Sequence, residues 1–98
     1  MAVNANTVPN VANPVTAPKN VDVEIMSNAF SPASIQISKG GTVRWINLVN
    51  VLHNIQGDGF NSGLIYHGYT YSLMFNNAGT DNFNCSIHSY IEGTVNIL

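Results

Sequence analysis

From Val21 onward, apolar residues recur at every second position: Val21, Val23 and Ile25, then Ile35 and Ile37, then Val43 and Trp45. The same period returns at Tyr69, Tyr71, Leu73 and Phe75, at Phe83 and Cys85, and at Val95 and Ile97. Alternation of this kind marks strands with one face buried, and no stretch sustains the 3.6-residue stripe of an amphipathic helix. Turn-forming clusters separate the runs: Ser31-Pro32, Lys39-Gly40-Gly41, Gly57-Asp58-Gly59, His67-Gly68 and Asn76-Asn77-Ala78-Gly79. The pattern predicts an all-β domain, a Greek-key β-sandwich of about seven or eight strands. The turn at Asn76 to Gly79 predicts a hairpin that sets Met74 near Thr80, roughly 15 Å along the strand from Cys85. Trp45, Tyr66, Tyr69 and Tyr71 fall where strand aromatics usually pack and are expected in the core or against same-face neighbours.

Residues 1–20 break this picture. They are rich in Asn, Pro, Ala and Val without periodicity and read as a flexible N-terminal tether, leaving residues 21–98 as the domain. A domain of that size hides about two-thirds of its unfolded surface, so its single core is thin and a bound metal adds useful stability. Charged residues are 8% of the chain, three Lys or Arg against five Asp or Glu. No basic stripe exists to neutralise phosphates, which argues against nucleic acid as a partner. The Asn-, Ser-, Thr- and Gly-rich remainder suits docking through an apolar patch better than long-range steering. No apolar run is long enough to span a bilayer as a helix, and the N-terminus lacks the basic and apolar segments of a secretory signal. Met1 directly before the tether fits a chain from which a signal or membrane anchor has been removed.

The single cysteine excludes an intramolecular disulfide and turns attention to metal or catalysis. Three side chains can bind a soft metal: His53, after the apolar stretch from Leu48 to Leu52, and Cys85 and His88, which a Cys-x-x-His spacing places on one loop. A thiolate with two imidazoles suits copper, the sulfur favouring Cu(I) while the nitrogens keep Cu(II) accessible. The same set is compatible with zinc, although a fourth strong ligand is missing. Taken alone, Cys85 reads more simply as a small buried hydrophobe and His53 as a strand-end histidine.

The surrounding order of motifs decides between these readings. Phe30-Ser31-Pro32, Gly40-Gly41-Thr42-Val43, Trp45-Ile46-Asn47, His53-Asn54, Gly68 with the strand to Phe75, Gly79-Thr80, Cys85-Ser86-Ile87-His88 and Glu92-Gly93-Thr94-Val95 run in one series. Over Val21 to Leu98 this series resembles the cupredoxins, the small type 1 copper proteins that include plastocyanin and amicyanin. The resemblance implies one copper per chain on His53, Cys85 and His88, and a loop-tying hydrogen-bond role for Asn54 and Ser86. It implies a monomeric, extracytoplasmic protein of a periplasm-like space or cell surface. Such a protein carries single electrons between redox partners that dock briefly near His88, where Ile87, Tyr90 and Ile91 form an apolar patch.

One departure stands out. Most cupredoxins place an axial methionine three or five residues after the second histidine, and here those positions are Ile91 and Gly93. Met26 and Met74 are expected on strands away from the site. Either Ile91 fills the axial position, or it turns to the core and leaves copper open to water or a small ligand, an arrangement similar to the purple cupredoxins of ammonia-oxidising archaea. The open arrangement suggests an alternative function, oxidation of a small molecule such as nitric oxide to nitrite. Copper storage or delivery is a third reading, disfavoured because a buried Cys/His₂ set releases metal slowly. Glu92 borders the axial region but reads most simply as a solvated strand residue, and His67 as a surface histidine.

Overall fold

The computed structural model describes residues 17–98, and most of the expected tether lies outside them. Nine strands follow in chain order: β1 (Asn20–Ile25), β2 (Phe30–Ser31), β3 (Ser34–Ile37), β4 (Gly41–Asn47), β5 (Gln56–Gly57), β6 (Phe60–Asn61), β7 (Thr70–Phe75), β8 (Gly79–Asn84) and β9 (Glu92–Ile97). The strand count exceeds the expected seven or eight because short two-residue pairs, β2, β5 and β6, extend the sheet edges. One sheet has the order β2-β1-β4-β7 and the other β3-β9-β8-β5-β6. The pairs β1 with β4 and β3 with β9 are parallel, so the chain must cross between layers rather than meander. Before β1, the Pro18 carbonyl accepts from Ser38 N and the Lys19 carbonyl from Thr42 N, which secures the start of the domain.

The alternation does what its period dictates. Val23, Ile25, Ile35, Ile37, Val43, Trp45, Phe83, Val95 and Ile97 all turn inward and are buried, while their neighbours face water. Trp45 of the first sheet meets Phe83 of the second edge-on, with ring centroids 5.2 Å apart, and stacks near Tyr71 at 5.8 Å. Phe83 in turn lies 4.9 Å from Phe30. Its ring covers its strand partner Gly93, where a Cβ would collide with the aromatic carbons. Gly93 is therefore required by packing rather than by backbone conformation.

Two expectations are corrected. The segment Asn76 to Gly79 does not close a hairpin: β7 pairs with β4, setting Met74 opposite Thr42, whereas β8 belongs to the other sheet. A short polar turn reads the same whether it reverses within a sheet or arches between sheets, and only the layer that each strand covers distinguishes the two. Tyr66 and Tyr69 are not packed inside; they are 54% and 67% exposed and contact each other in the connection before β7. Trp45 does lie in the core, and Tyr71 packs against it half-buried.

Trp45 fills the centre of a thin core, so Trp45→Ala is expected to lower the unfolding free energy of the metal-free domain by about 3–5 kcal/mol. Urea unfolding followed by circular dichroism measures this; a loss below about 1 kcal/mol would show that the two layers close without the indole.

Candidate metal centre

Three connections converge at one end of the sandwich. Cys85 follows β8 immediately, two residues beyond Phe83, so the period that buries Phe83 also buries Cys85. The loop then turns back on itself, with Ile91 N donating to the His88 carbonyl at 2.8 Å and Cys85 N to the Ile91 carbonyl at 3.1 Å. That closure presents His88 to the same space as Cys85. His53 arrives from the long β4–β5 connection and bridges to Ile65, donating through its N at 3.4 Å and accepting through its carbonyl at 2.7 Å.

Cys85 Sγ stands 3.5 Å from His53 Nδ1 and 3.8 Å from His88 Nδ1. The three donor atoms lie within 4.8 Å of one another. A metal bound trigonally at ~2.0 Å from nitrogen and ~2.3 Å from sulfur separates those atoms by about 3.7 Å, so the two sulfur–nitrogen distances fit a shared ion. His53 and Cys85 are fully buried, whereas His88 is partly exposed. His53 Nε2 is buried without a hydrogen-bond partner. Nδ1, by contrast, is turned toward the Cys85 sulfur, so it is the nitrogen that would hold a metal shared with that sulfur.

Asn54 connects the two halves of the site. Its Oδ1 accepts from Ser86 N at 2.8 Å and Ser86 Oγ at 3.0 Å, and its backbone N lies 3.5 Å from the Cys85 sulfur as a weak donor. The thiol form of Cys85 points toward the same Oδ1 at 3.4 Å. Ile91 is 1% exposed and belongs to the core cluster, so the apolar patch expected beside His88 keeps Ile87 and Tyr90 but not Ile91. Glu92 is exposed at the start of β9, opposite Asn84, and His67 is exposed in the turn before β7. Met26 and Met74 are 39% and 56% exposed, so neither is held within the buried donor set.

Sequence reasoning missed Asn47. It is fully buried at the end of β4, with its amide side chain bonded to three backbone groups. The available signal was its place in the alternation after Val43 and Trp45, where an asparagine takes an inward position otherwise filled by apolar side chains.

Comparison with known proteins agrees with this geometry. Residues 17–98 match the copper binding proteins of the plastocyanin/azurin family, and the chain belongs to that family. It is 32% identical to a plastocyanin of Scenedesmus fuscus over 83 residues, covering 69% of this chain and 85% of the relative. It is 28% identical to amicyanin-alpha of Methylorubrum extorquens over 86 residues, covering 78% and 70%. Among solved structures, an oxidised amicyanin point mutant superposes with a TM-score of 0.78 at 26% identity, covering 85% of this chain and 86% of that one. A purple cupredoxin from Nitrosopumilus maritimus superposes with a TM-score of 0.73 at 26% identity, covering 80% and 99%. The fold is that of the cupredoxins, and His53, Cys85 and His88 are positioned to form its copper site.

Burial, and then the nearby His88, hold the His53 imidazole below its ordinary value of 6.5. The ring therefore stays neutral, as a ligand must, to lower pH than a free histidine. In the metal-free protein the unfolded chain takes up this proton first. Stability is fully present above pH ~6.5 and is lost as the pH falls from there through the depressed folded value. Thermal melts of metal-free protein between pH 7.5 and 4.5 are expected to show this fall, with a shallower slope in His53→Gln; equal slopes would remove His53 as its source.

Proposed function

We propose that this protein is a one-electron carrier, with copper bound by His53, Cys85 and His88 and no axial methionine. Copper in a thiolate and bis-imidazole set supplies single-electron exchange between Cu(II) and Cu(I). The observation that carries the reading is the asymmetry of the donor set: two ligands are sealed and fixed by the framework, while the third, His88, lies at the rim. The sealed pair limits rearrangement between oxidation states, and His88 offers the edge through which an electron passes. Asn54 and Ser86 keep the two ligand-bearing loops at a fixed separation.

The surface around His88 supports transient docking of redox partners. Ile87, Tyr90, Leu52 and Leu64 are exposed there or on the loops flanking His53. The chain carries no charged residue between Arg44 and Asp58, between Asp58 and Asp81, or between Asp81 and Glu92. A partner with an apolar, uncharged face fits this end, and a monomer suffices because one chain holds all three ligands. The family resemblance supports an extracytoplasmic location.

With Met26 and Met74 on the surface, no thioether among the described residues completes the coordination. This favours a second reading, in which the site admits water or a small ligand and oxidises nitric oxide to nitrite, water supplying the oxygen while one electron and two protons leave. Ile91→Met separates the readings: nitrite formation that persists in this variant does not depend on an open axial position.

Titration of the metal-free protein with Cu(II), beside Cys85→Ser, is expected to give an intense visible band that saturates at one copper per chain and vanishes in the variant. A shift of that band with added small anions supports the open axial position; a colourless titration overturns the copper reading. The rate of electron exchange with a redox partner is expected to change less than about twofold between 20 and 300 mM salt, since uncharged surfaces are not screened. Ile87→Lys is expected to slow exchange and make it salt-dependent. Steep salt dependence in the natural protein would exclude the apolar docking surface.

A further inference from the structure

Asn47 makes five hydrogen bonds from a fully buried position, and their pattern singles out one ligand. Its Nδ2 donates to the Val51 and Ile65 carbonyls, both at 2.8 Å, and its Oδ1 accepts from Val49 N at 3.0 Å. Its backbone N donates to the Tyr69 carbonyl at 3.0 Å, and its carbonyl accepts from Gly68 N at 2.7 Å. The side chain thus gathers the loop leading into His53 and the segment running into β7, and both bonds from Nδ2 end on backbone that sets His53. Val51 lies two residues before that histidine. The Ile65 carbonyl also accepts the His53 N–H at 3.4 Å, while Ile65 N donates to the His53 carbonyl at 2.7 Å.

We propose that Asn47 is the positioning residue for the His53 ligand: through the Ile65 carbonyl it shares with His53 N–H, it holds the imidazole at its separation from Cys85 before any metal binds. The inference rests on the copper reading of the site. The distal Nε2 of His53 is buried without a hydrogen-bond partner, and the polar contact of the ring is the one it must keep free for metal, Nδ1 to Cys85 Sγ at 3.5 Å. A ligating histidine usually has its ring fixed by a hydrogen bond from the distal nitrogen. In its absence, orientation falls to packing and to the backbone, and Asn47 is the buried polar side chain that bonds that backbone. Asn54 acts on the opposite side, tying the same histidine loop to Ser86. His53 therefore stands between two asparagines, one anchoring it to the end of β4 and the other to the cysteine loop.

The clamp is tested in natural protein without metal. Amide hydrogen exchange by nuclear magnetic resonance is expected to protect Ile65 N–H to within about tenfold of the central β4 amides, because the holding groups are all protein. Exchange of Ile65 at the rate of an open loop overturns the proposal. In Asn47→Ser, the copper–thiolate band is expected to shift and Cu(II) affinity to fall about 10- to 100-fold. Val43→Ala, a buried change on the same strand, is expected to leave both unchanged at a comparable loss of melting temperature. A natural spectrum and affinity in Asn47→Ser, or equal changes in the two variants, assigns Asn47 a structural role only and overturns the proposal. If Asn47→Ser does not fold, the exchange measurement decides. If the natural protein binds no copper while Ile65 remains protected, the copper reading has failed and the backbone clamp has not.

Discussion

The contact between Trp45 and Phe83 is the constraint from which the site follows. The two rings come from different sheets and meet edge-on at 5.2 Å, the geometry aromatic quadrupoles favour. Each stands two residues before a group that the centre needs: Asn47 after Trp45, at the end of β4, and Cys85 after Phe83, beyond β8. Strand side chains repeat with period two, so packing that points Trp45 and Phe83 inward also points Asn47 and Cys85 inward, one step nearer the end of the sandwich. The copper site continues the core by one layer, with polar and soft donors replacing hydrocarbon.

Continuity with the core explains why the site is preformed. Cys85 and His53 are as buried as the isoleucines beneath them, and their positions are set by strand pairing, by the Cys85–Ile91 closure and by Asn54 across the two loops. A framework of this kind resists the different geometries that Cu(I) and Cu(II) prefer, which is what rapid single-electron exchange requires. The same burial keeps His53 neutral. The three donors are assembled only in the folded chain, so metal binding and folding stability are coupled.

The positions three and five residues after His88 both have other duties. The Ile91 backbone closes the loop that presents His88, and its side chain lies in the core cluster. Gly93 leaves room for the Phe83 ring, so any side chain at that position would displace the aromatic that organises the second sheet. Apart from Glu92 at the start of β9, the sparse charges lie outside the segments that carry the ligands, with Asp22 and Arg44 paired across neighbouring strands at 2.8 Å. There the guanidinium holds the Asp22 carboxyl below the usual carboxylate range.

The all-β class was legible because period-two alternation is a local property: Val21 to Ile25, Ile35 to Ile37 and Val43 to Trp45 declare their buried faces without reference to partners. The ligand set was legible through the resemblance: one cysteine and three histidines narrowed the candidates, and the series of motifs around His53, Cys85 and His88 decided among them. Partner choice was not legible. Asn76 to Gly79 has the chemistry of a turn whether the chain reverses or crosses layers, and only the packing of β7 on β4 and of β8 on β9 settled it. Tyr69 shares the parity of Tyr71 yet lies outside, because parity fixes a direction but not whether another layer stands there to cover it. Asn47 carried a faint sequence signal, an amide in an apolar rhythm. Its bonds to Val51 and Ile65 exist only because the tertiary fold brings two distant segments to the end of β4, and hydrogen bonds across such separations leave no local trace in the chain.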